Sequence, residues 1–388
     1  MIKVLYILDY GILGGATKAF VTLVRQMKRQ SIIPIVVTSD YNELNKQLEE
    51  IGIKTISVGH RTAIESFSFK KITWPYSLLK LVVWYYYKEC IAIKKIKKGI
   101  DFSEIDIIHT NSARNTLGCR LAKMTGKPHI VHIREFGDKD FDCIRLNPRY
   151  ISLLNRYTDR FISVSNAVRD YWNSKGITAK KNVTIYDGVD YSDISESSDE
   201  DKRRPALRMV INGGVCEAKR QKLVVEAMKL LPEEVRSMIY LDIAGWGGKQ
   251  YIAELLEDAN NAGFGSQINY LGSIDDVHQR VGNSQIGLMC SRSEGFGLVT
   301  AEYMHGRLGV IASKSGASPE LIEDGKSGLL FKAGDAESLA NCIEKLYRDR
   351  DLLISLSRNA QIRAQVMFTQ KKNAESVCDL YKEVLKRN

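Results

Sequence analysis

The chain reads as an α/β protein built from two open, parallel-sheet domains covered by helices, and three observations predict it. Short β-rich runs alternate with longer helical patterns from end to end, as expected for strands joined by helical crossovers. The length of 388 residues exceeds the ~250–300 residues that one hydrophobic core usually serves. Between the two sets of strands lies Asp190–Pro205, a run of Ser, Asp, Glu and Arg almost free of apolar residues, which reads as a linker. The expected division is a first domain at 1–189, the linker at 190–205, a second domain at 206–367 and a closing helix at 368–388.

In the first half, strands are expected near Lys3–Leu8, Ile35–Thr38, Thr55–Val58, Ile105–His109, Ile130–Arg134, Phe161–Val164 and Val183–Tyr186. The opening run reads as a buried strand rather than a signal peptide. Seven cysteines lie far apart with no Cys-x-x-Cys pair, so neither a zinc site nor a disulfide framework is indicated and a reducing, cytoplasmic setting fits. After the first strand, Gly11-Ile12-Leu13-Gly14-Gly15-Ala16-Thr17 precedes a helix running to about Arg29. Glycines there, Gly15 among them, allow close backbone approach to a ligand or simply a flexible connection.

The net charge of +10 is uneven. Residues 61–99 hold nine basic side chains against Glu65 and Glu89, a net of +7, interleaved with Phe67, Phe69, Trp74, Tyr76, Trp84, Tyr85, Tyr86 and Tyr87. No stretch approaches the ~20 apolar residues that span a bilayer. Aromatic and basic side chains together suit an anionic membrane surface, and a peripheral position on the inner face of the plasma membrane is one expectation. A core helix with a solvated lysine face is the other. Nucleic acid is not expected, because no recognised binding motif accompanies the charge.

Two further strands of this half end in candidate residues. His129-Ile130-Val131-His132-Ile133-Arg134-Glu135 places His132 and Arg134 on one strand face. Arg134, at the strand end, is the favoured functional side chain and His132 the alternative, since a His in an apolar strand is commonly a core residue. Val183–Asp190 follows, with Asp187 in a turn that Asp and Asn both favour.

In the second half, strands are expected near Met209–Ile211, Tyr240–Ala244, Ile268–Leu271, Ile286–Met289, Val310–Ala312 and Leu329–Phe331. Gly213-Gly214-Val215-Cys216-Glu217-Ala218-Lys219-Arg220-Gln221 follows the first of them. Small residues and cations at a strand-to-helix turn suit a diphosphate, with Lys219 as the point charge, Gly214 in the turn and Arg220 as a second cation. Ala244-Gly245-Trp246-Gly247-Gly248 ends the next strand, and Gly245 offers backbone to a ligand or marks only a tight turn.

The most informative stretch is Ser293-Glu294-Gly295-Phe296-Gly297-Leu298-Val299-Thr300-Ala301-Glu302. It leaves the buried strand 286–289 and opens a helix near Leu298. Open α/β sheets bind ligands at such carboxyl ends. Gly295 and Gly297 bring backbone N–H groups close, Phe296 and Leu298 belong to the same turn, and the helix N-terminus favours an anion. Glu302 can accept hydrogen bonds from ribose hydroxyls and Glu294 from those of a sugar. The bland alternative is a helix-end charge and a solvated loop residue.

The segment continues through Tyr303-Met304-His305-Gly306, Val310-Ile311-Ala312-Ser313, Ser315-Gly316-Ala317-Ser318-Pro319-Glu320 and Gly325-Lys326-Ser327-Gly328. This ordered set resembles the donor-binding half of family 4 glycosyltransferases of the GT-B fold. The resemblance implies two Rossmann-like doubly wound domains facing across a cleft, and a retaining transfer of sugar from a nucleoside diphosphate to an acceptor hydroxyl. It implies a UDP-sugar as co-substrate, a glycan or lipid-linked acceptor in bacterial surface-glycan assembly, and no required metal. It also implies that the closing helix crosses back to the first domain, although its periodicity equally allows packing on its own domain. In that family the diphosphate loop commonly carries an arginine where this chain has Gly214. Glu294, Lys219, Arg134 and His132 are the candidate catalytic residues; Gly15, Gly214, Lys219, Arg220, Gly245, Gly295, Phe296, Gly297, Leu298 and Glu302 are the candidate donor contacts. A GT-B nucleotide-sugar epimerase and a catalytically silent sugar-nucleotide-binding subunit are the competing functions.

Overall fold

β-branched, apolar runs bounded by Gly, Asn and Ser become the strands of two separate sheets in a computed structural model that describes residues 1–9, 14–66, 74–137, 143–274 and 282–387. The chain divides into two units, one ending at Gly188 and regaining the chain at Gln370, the other spanning Val189–Thr369.

The first unit holds β1 (Ile2–Ile7), β2 (Ile32–Thr38), β3 (Lys54–Ser57), β4 (Ile64–Ser66), β5 (Ile107–Thr110), β6 (His129–Ile133), β7 (Cys143–Arg145), β8 (Arg160–Ser163) and β9 (Asn182–Thr184). Seven of them form a sheet in the order β3-β2-β1-β5-β6-β8-β9, parallel at every pairing. Alternate residues of β1 point to opposite faces. Val4 and Tyr6 join Phe20, Leu23 and Val24 in one core layer, while Leu5 and Ile7 join Ala92, Ile96 and Leu117 in the other. Burial on both faces is why β1 reads as an unbroken apolar run.

The closing helix, Gln370–Arg387, belongs to this unit. Its buried stripe of Ala374, Val377, Leu380, Tyr381 and Val384 completes the first of those layers. Periodicity left its destination open, and the apolar surface of the 15–29 helix and of Tyr6 decided it. The small antiparallel pair β4–β7 was not expected: strands of three residues carry too little alternation to be read.

The second unit holds β10 (Leu207–Asn212), β11 (Ile239–Ala244), β12 (Ile268–Gly272), β13 (Ile286–Met289), β14 (Gly309–Ser313) and β15 (Leu329–Phe331). Their order is β12-β11-β10-β13-β14-β15, again all parallel. Both sheets are thus doubly wound, with the order reversing between β1 and β5 in one and between β10 and β13 in the other. Ligands of such sheets collect outside the carboxyl ends at the reversal.

The expected linker at 190–205 is largely exposed, as its composition suggests, but it counts with the second unit and is tied to it through 197–202. Ser198 and Asp201 form a capping box over the Asp199–Lys202 turn of helix, and the buried Ser197 donates its N–H to Gly306 O at 2.9 Å. Lys202 is buried and donates to Ser197 O at 2.6 Å, with burial lowering its pKa to about 8. The two buried polar residues of this segment, Ser197 through its backbone and Lys202 through its ammonium, each have a partner, as buried polar groups require.

Candidate active site

In the second unit, β10 and β13 lie side by side at the reversal of strand order, and their trailing loops meet. After Asn212 the chain passes Gly213 and Gly214 and tightens into a turn where Lys219 and Arg220 both donate their N–H groups to Cys216 O, at 3.0 and 3.1 Å. Arg220 sits in the left-handed region at φ 55° and caps the helix Gln221–Leu230. A non-glycine residue there stores about 1 kcal/mol or more, and the residue before it, Lys219, reaches the loop after β13. Lys219 Nζ lies 2.6 Å from Glu294 Oε2, with 35% of the lysine and 19% of the glutamate side chain exposed.

Glu294 is held from behind. Its carbonyl accepts the Ala317 N–H at 3.0 Å, and Gly316 approaches so closely that a Cβ there would lie 2.4 Å from that carbonyl oxygen. Gly297, at φ +93°, is the N-cap of the helix Leu298–His305 and brings no side chain to its first amides. Those N–H groups and the positive end of the helix dipole are therefore available to an anion. Thr300, on the first turn and 1% exposed, has an Oγ1 without a hydrogen-bond partner. A Cβ on Gly297 would lie 3.2 Å from that hydroxyl and 3.3 Å from Glu294 Cγ. One carboxylate, one ammonium, one buried hydroxyl and a helix start thus converge on the β13 loop.

Other expected donor contacts fall differently. Glu302 stands half-buried on the second turn of the same helix, as its spacing predicts. Phe296 is buried and packs edge-on against Phe368 at 5.6 Å; its ring is a core element and only its backbone borders the turn. Gly295 and Leu298 are partly buried. Gly214 is exposed, with its carbonyl taken by Gln221 Nε2 at 2.9 Å. Gly245 has both backbone groups engaged, the N–H with Gly272 O at 2.7 Å and the carbonyl with Tyr270 Oη at 3.0 Å. Its role is to let two turns cross, since a Cβ there would lie 1.8 Å from Gly213 O. The Arg220 guanidinium packs beside Gly334 and is near enough to Cys290 to act on that thiol electrostatically. Gly15 is an exposed first residue of its helix in the other unit, and Gly11, Ile12 and Leu13 lie outside the described residues.

In the first unit the two strand-end candidates are interior. Arg134 is 7% exposed; its Nη1 donates to Asp187 Oδ1 and Oδ2 at 2.6 and 2.7 Å and its Nε to Asn111 Oδ1 at 2.9 Å. Arg134, favoured as a functional side chain at the strand end, thus has its guanidinium turned onto a carboxylate of the segment after β9, with Nη2 buried and without a partner. Asp187, read as an interchangeable turn residue, is that countercharge. His132 is fully buried and neither ring nitrogen has a partner. Burial first, then Arg134 and His109, hold its pKa well below the ordinary value. The neighbouring His109, its ring 5.5 Å away, has Nδ1 2.6 Å from the Tyr381 hydroxyl, which in turn lies 3.0 Å from that of Tyr6. The closing helix is thereby tied to the strand that carries the histidine.

At the carboxyl edge around β1, where the glycine loop was expected to approach a ligand, the sequence reading singled out neither Asp9 nor His60. Asp9, just past β1, has a buried Oδ1 without a partner, as do both ring nitrogens of the buried His60. Burial lowers the His60 pKa, opposed by Asp9, the Leu8 backbone and Asp40. Ser112, after β5, donates to Glu135 Oε1 at 2.8 Å. These groups follow different strands, and only the strand order assembles them. Among the described residues no group of three or more His, Cys, Asp or Glu is disposed to hold a metal ion.

Comparison with known proteins agrees with this architecture. Residues 13–193 match the family described as Glycosyltransferase Family 4, and residues 193–363 match Glycosyl transferases group 1. The N-acetyl-alpha-D-glucosaminyl L-malate synthase of Bacillus anthracis is 26% identical over 73% of this chain and 76% of its own length. The capsular polysaccharide biosynthesis glycosyltransferase CapH of Staphylococcus aureus is 22% identical over 89% of this chain and 91% of its own. The crystal structure of Anabaena HepE in complex with UDP and glucose superposes with a TM-score of 0.77 at 19% identity, covering 99% of this chain and 100% of that one. Two abutting family matches that together span nearly the whole chain, on two doubly wound sheets, make this protein a member of the family 4 glycosyltransferases, with the GT-B fold.

Proposed function

We propose that this enzyme moves a sugar from a nucleoside diphosphate, UDP first among them, to a hydroxyl of a glycan or lipid-linked acceptor with retention at the anomeric carbon, and that it works at a membrane surface. The observation that carries the donor half is the Lys219–Glu294 pair beside the uncapped N-terminus after Gly297. A diphosphate competes with Glu294 for Lys219 and gains the helix amides as well. The freed carboxylate then accepts hydrogen bonds from sugar hydroxyls, while Glu302 serves the ribose. Catalysis in this reading is charge stabilisation of the leaving phosphate and positioning of the sugar, with the leaving oxygen taking the acceptor proton. Lys219 and the amides supply the positive charge, so no divalent cation is needed. The unpartnered Asp9 and His60 groups favour the carboxyl edge of the first sheet as the acceptor side.

The relatives support the acceptor class. CapH is named for capsular polysaccharide biosynthesis, and a Rhizobium leguminosarum relative, 30% identical over 45% of this chain, is named a lipopolysaccharide core biosynthesis mannosyltransferase. UDP is supported by the HepE complex.

The test is a thermal-shift panel of sugar nucleotides followed by nucleoside diphosphate release with and without a glycolipid extract as acceptor, in EDTA. Release that requires acceptor is expected. Glu302→Ala weakens nucleotide affinity, and Glu294→Ala lowers transfer with less effect on nucleotide affinity. Release without acceptor points to epimerisation or hydrolysis, and unchanged kinetics in both folded variants removes the two glutamates from the site.

A further inference from the structure

The helix Trp74–Gly99 is two helices in its packing. Its second half is a core element: Tyr85, Glu89, Ala92 and Ile96 are its buried residues, at the 4-3-4 spacing of one face. The seam is locked by a buried carboxylate. Glu89 accepts from Thr116 Oγ1 at 3.0 Å and pairs with Arg120 at 2.5 Å, while the Tyr85 hydroxyl lies 2.5 Å from that of Thr116. Its first half, Trp74 to Trp84, buries nothing, although eight of those eleven residues are Trp, Tyr, Leu or Val.

The face opposite the seam is the one that a surface helix normally makes polar. Here it reads Tyr76, Lys80, Val83, Tyr87, Lys94 and Lys98, with Tyr76 71%, Val83 60% and Tyr87 55% exposed. Leu79 and Trp84 flank the stripe and are exposed too. Trp84 stacks on Tyr87 at 5.6 Å, with Lys88 Nζ 4.9 Å from its ring centre. An apolar patch of this kind on a surface marks a contact. Its charges say with what. Glu89 is the helix's single acidic residue and it is buried, whereas Lys80, Lys94, Lys95, Lys97 and Lys98 are exposed. A second copy docked on this stripe would oppose lysine with lysine. An anionic lipid surface meets both halves of the pattern, rings at the headgroup boundary and ammonium groups on the phosphates.

We infer that the Trp74–Gly99 helix is an in-plane membrane anchor, its exposed face dipping Tyr76, Val83, Trp84 and Tyr87 into an anionic leaflet and its lysine end resting on headgroups. This deepens the membrane part of the functional reading and stands apart from the donor chemistry, so either can fail alone. No helix among the described residues is long and apolar enough to cross a membrane, and the anchor is interfacial.

The experiment is flotation of the full chain with vesicles of phosphatidylcholine alone or mixed with phosphatidylglycerol, at low and high salt. Wild type is expected to float with the anionic vesicles only, and to be released by salt. The combined Tyr76→Ser, Val83→Ser and Tyr87→Ser variant, and separately Lys94, Lys95, Lys97 and Lys98 changed to Ser, each lower the bound fraction about tenfold or more. Neither changes the melting temperature or the affinity for the sugar nucleotide, because the altered side chains lie outside the core and the donor loops. Flotation that ignores phosphatidylglycerol, equal flotation of wild type and variants, or a wild-type dimer that the Tyr76, Val83 and Tyr87 changes convert to monomer would each overturn the anchor.

Discussion

Each unit carries an ion pair of nearly the same length at the carboxyl edge of its sheet, and the two pairs have opposite uses. Arg134–Asp187 in the first unit is 2.6 Å long with side chains 2% and 6% exposed. Lys219–Glu294 in the second is also 2.6 Å long, with 35% and 19% exposed. Burial separates them. A desolvated pair has no cheap alternative partner and acts as a structural tie, whereas a half-exposed pair adds about 0–1 kcal/mol to stability and can be exchanged for a ligand's phosphate and hydroxyls. Distance alone does not identify a functional charge.

The comparison breaks most readily at Asp187. Asp187→Asn leaves the buried Arg134 guanidinium without its countercharge and is expected to destabilise the protein by about 3–5 kcal/mol, read as a shift in the urea midpoint. A loss below about 1 kcal/mol would mean that the guanidinium finds water or another partner, and the contrast between the pairs would disappear. At the other pair, Lys219→Ala should slow transfer by about 10²–10³ while shifting stability by no more than about 1 kcal/mol. A large fall in melting temperature with transfer little affected would reverse the assignment of the two pairs.

A third expected difference between the units is a pH dependence concentrated in the first. His60, His109, His129 and His132 are buried there, and burial is the leading cause of a lowered pKa in each, to about 4 for His129. The unfolded chain binds protons at these sites below about pH 6.5 and the folded unit does not, so stability is full above that pH and declines as pH falls toward 4. The slope is up to ~1.4 kcal/mol per pH unit for each histidine. Facing His132 are Arg134 and His109, whose charges add to the penalty. In the second unit His305 is the described histidine with a lowered pKa, so amide exchange should report acid loosening first around Tyr6 and Tyr381. Uniform loosening of both units would refute this.

Much of the architecture was legible residue by residue. The long strands, the glycine turns after β10 and β13 and the placement of Glu294 on the β13 loop follow from local apolar periodicity and turn chemistry. Thr300 had a weak signal, a hydroxyl on the first turn of a ligand-facing helix. Asp187 had none, because an Asp in a turn looks the same whether it meets water or a guanidinium. The side of the 74–99 helix that packs was unreadable for a related reason: apolar residues surround its first half, and only Tyr85, Glu89, Ala92 and Ile96 become buried.

From the sequence by itself come the α/β class, the individual long strands and the loops at their carboxyl ends, because these depend on patterns within a few residues. The tertiary structure alone decided that Arg134 faces Asp187 across 53 positions, that Lys219 faces Glu294 across 75, and that the last helix joins the first unit. Those outcomes depend on strand order and on which apolar surface remains uncovered. Neither property is carried by any local stretch of chain.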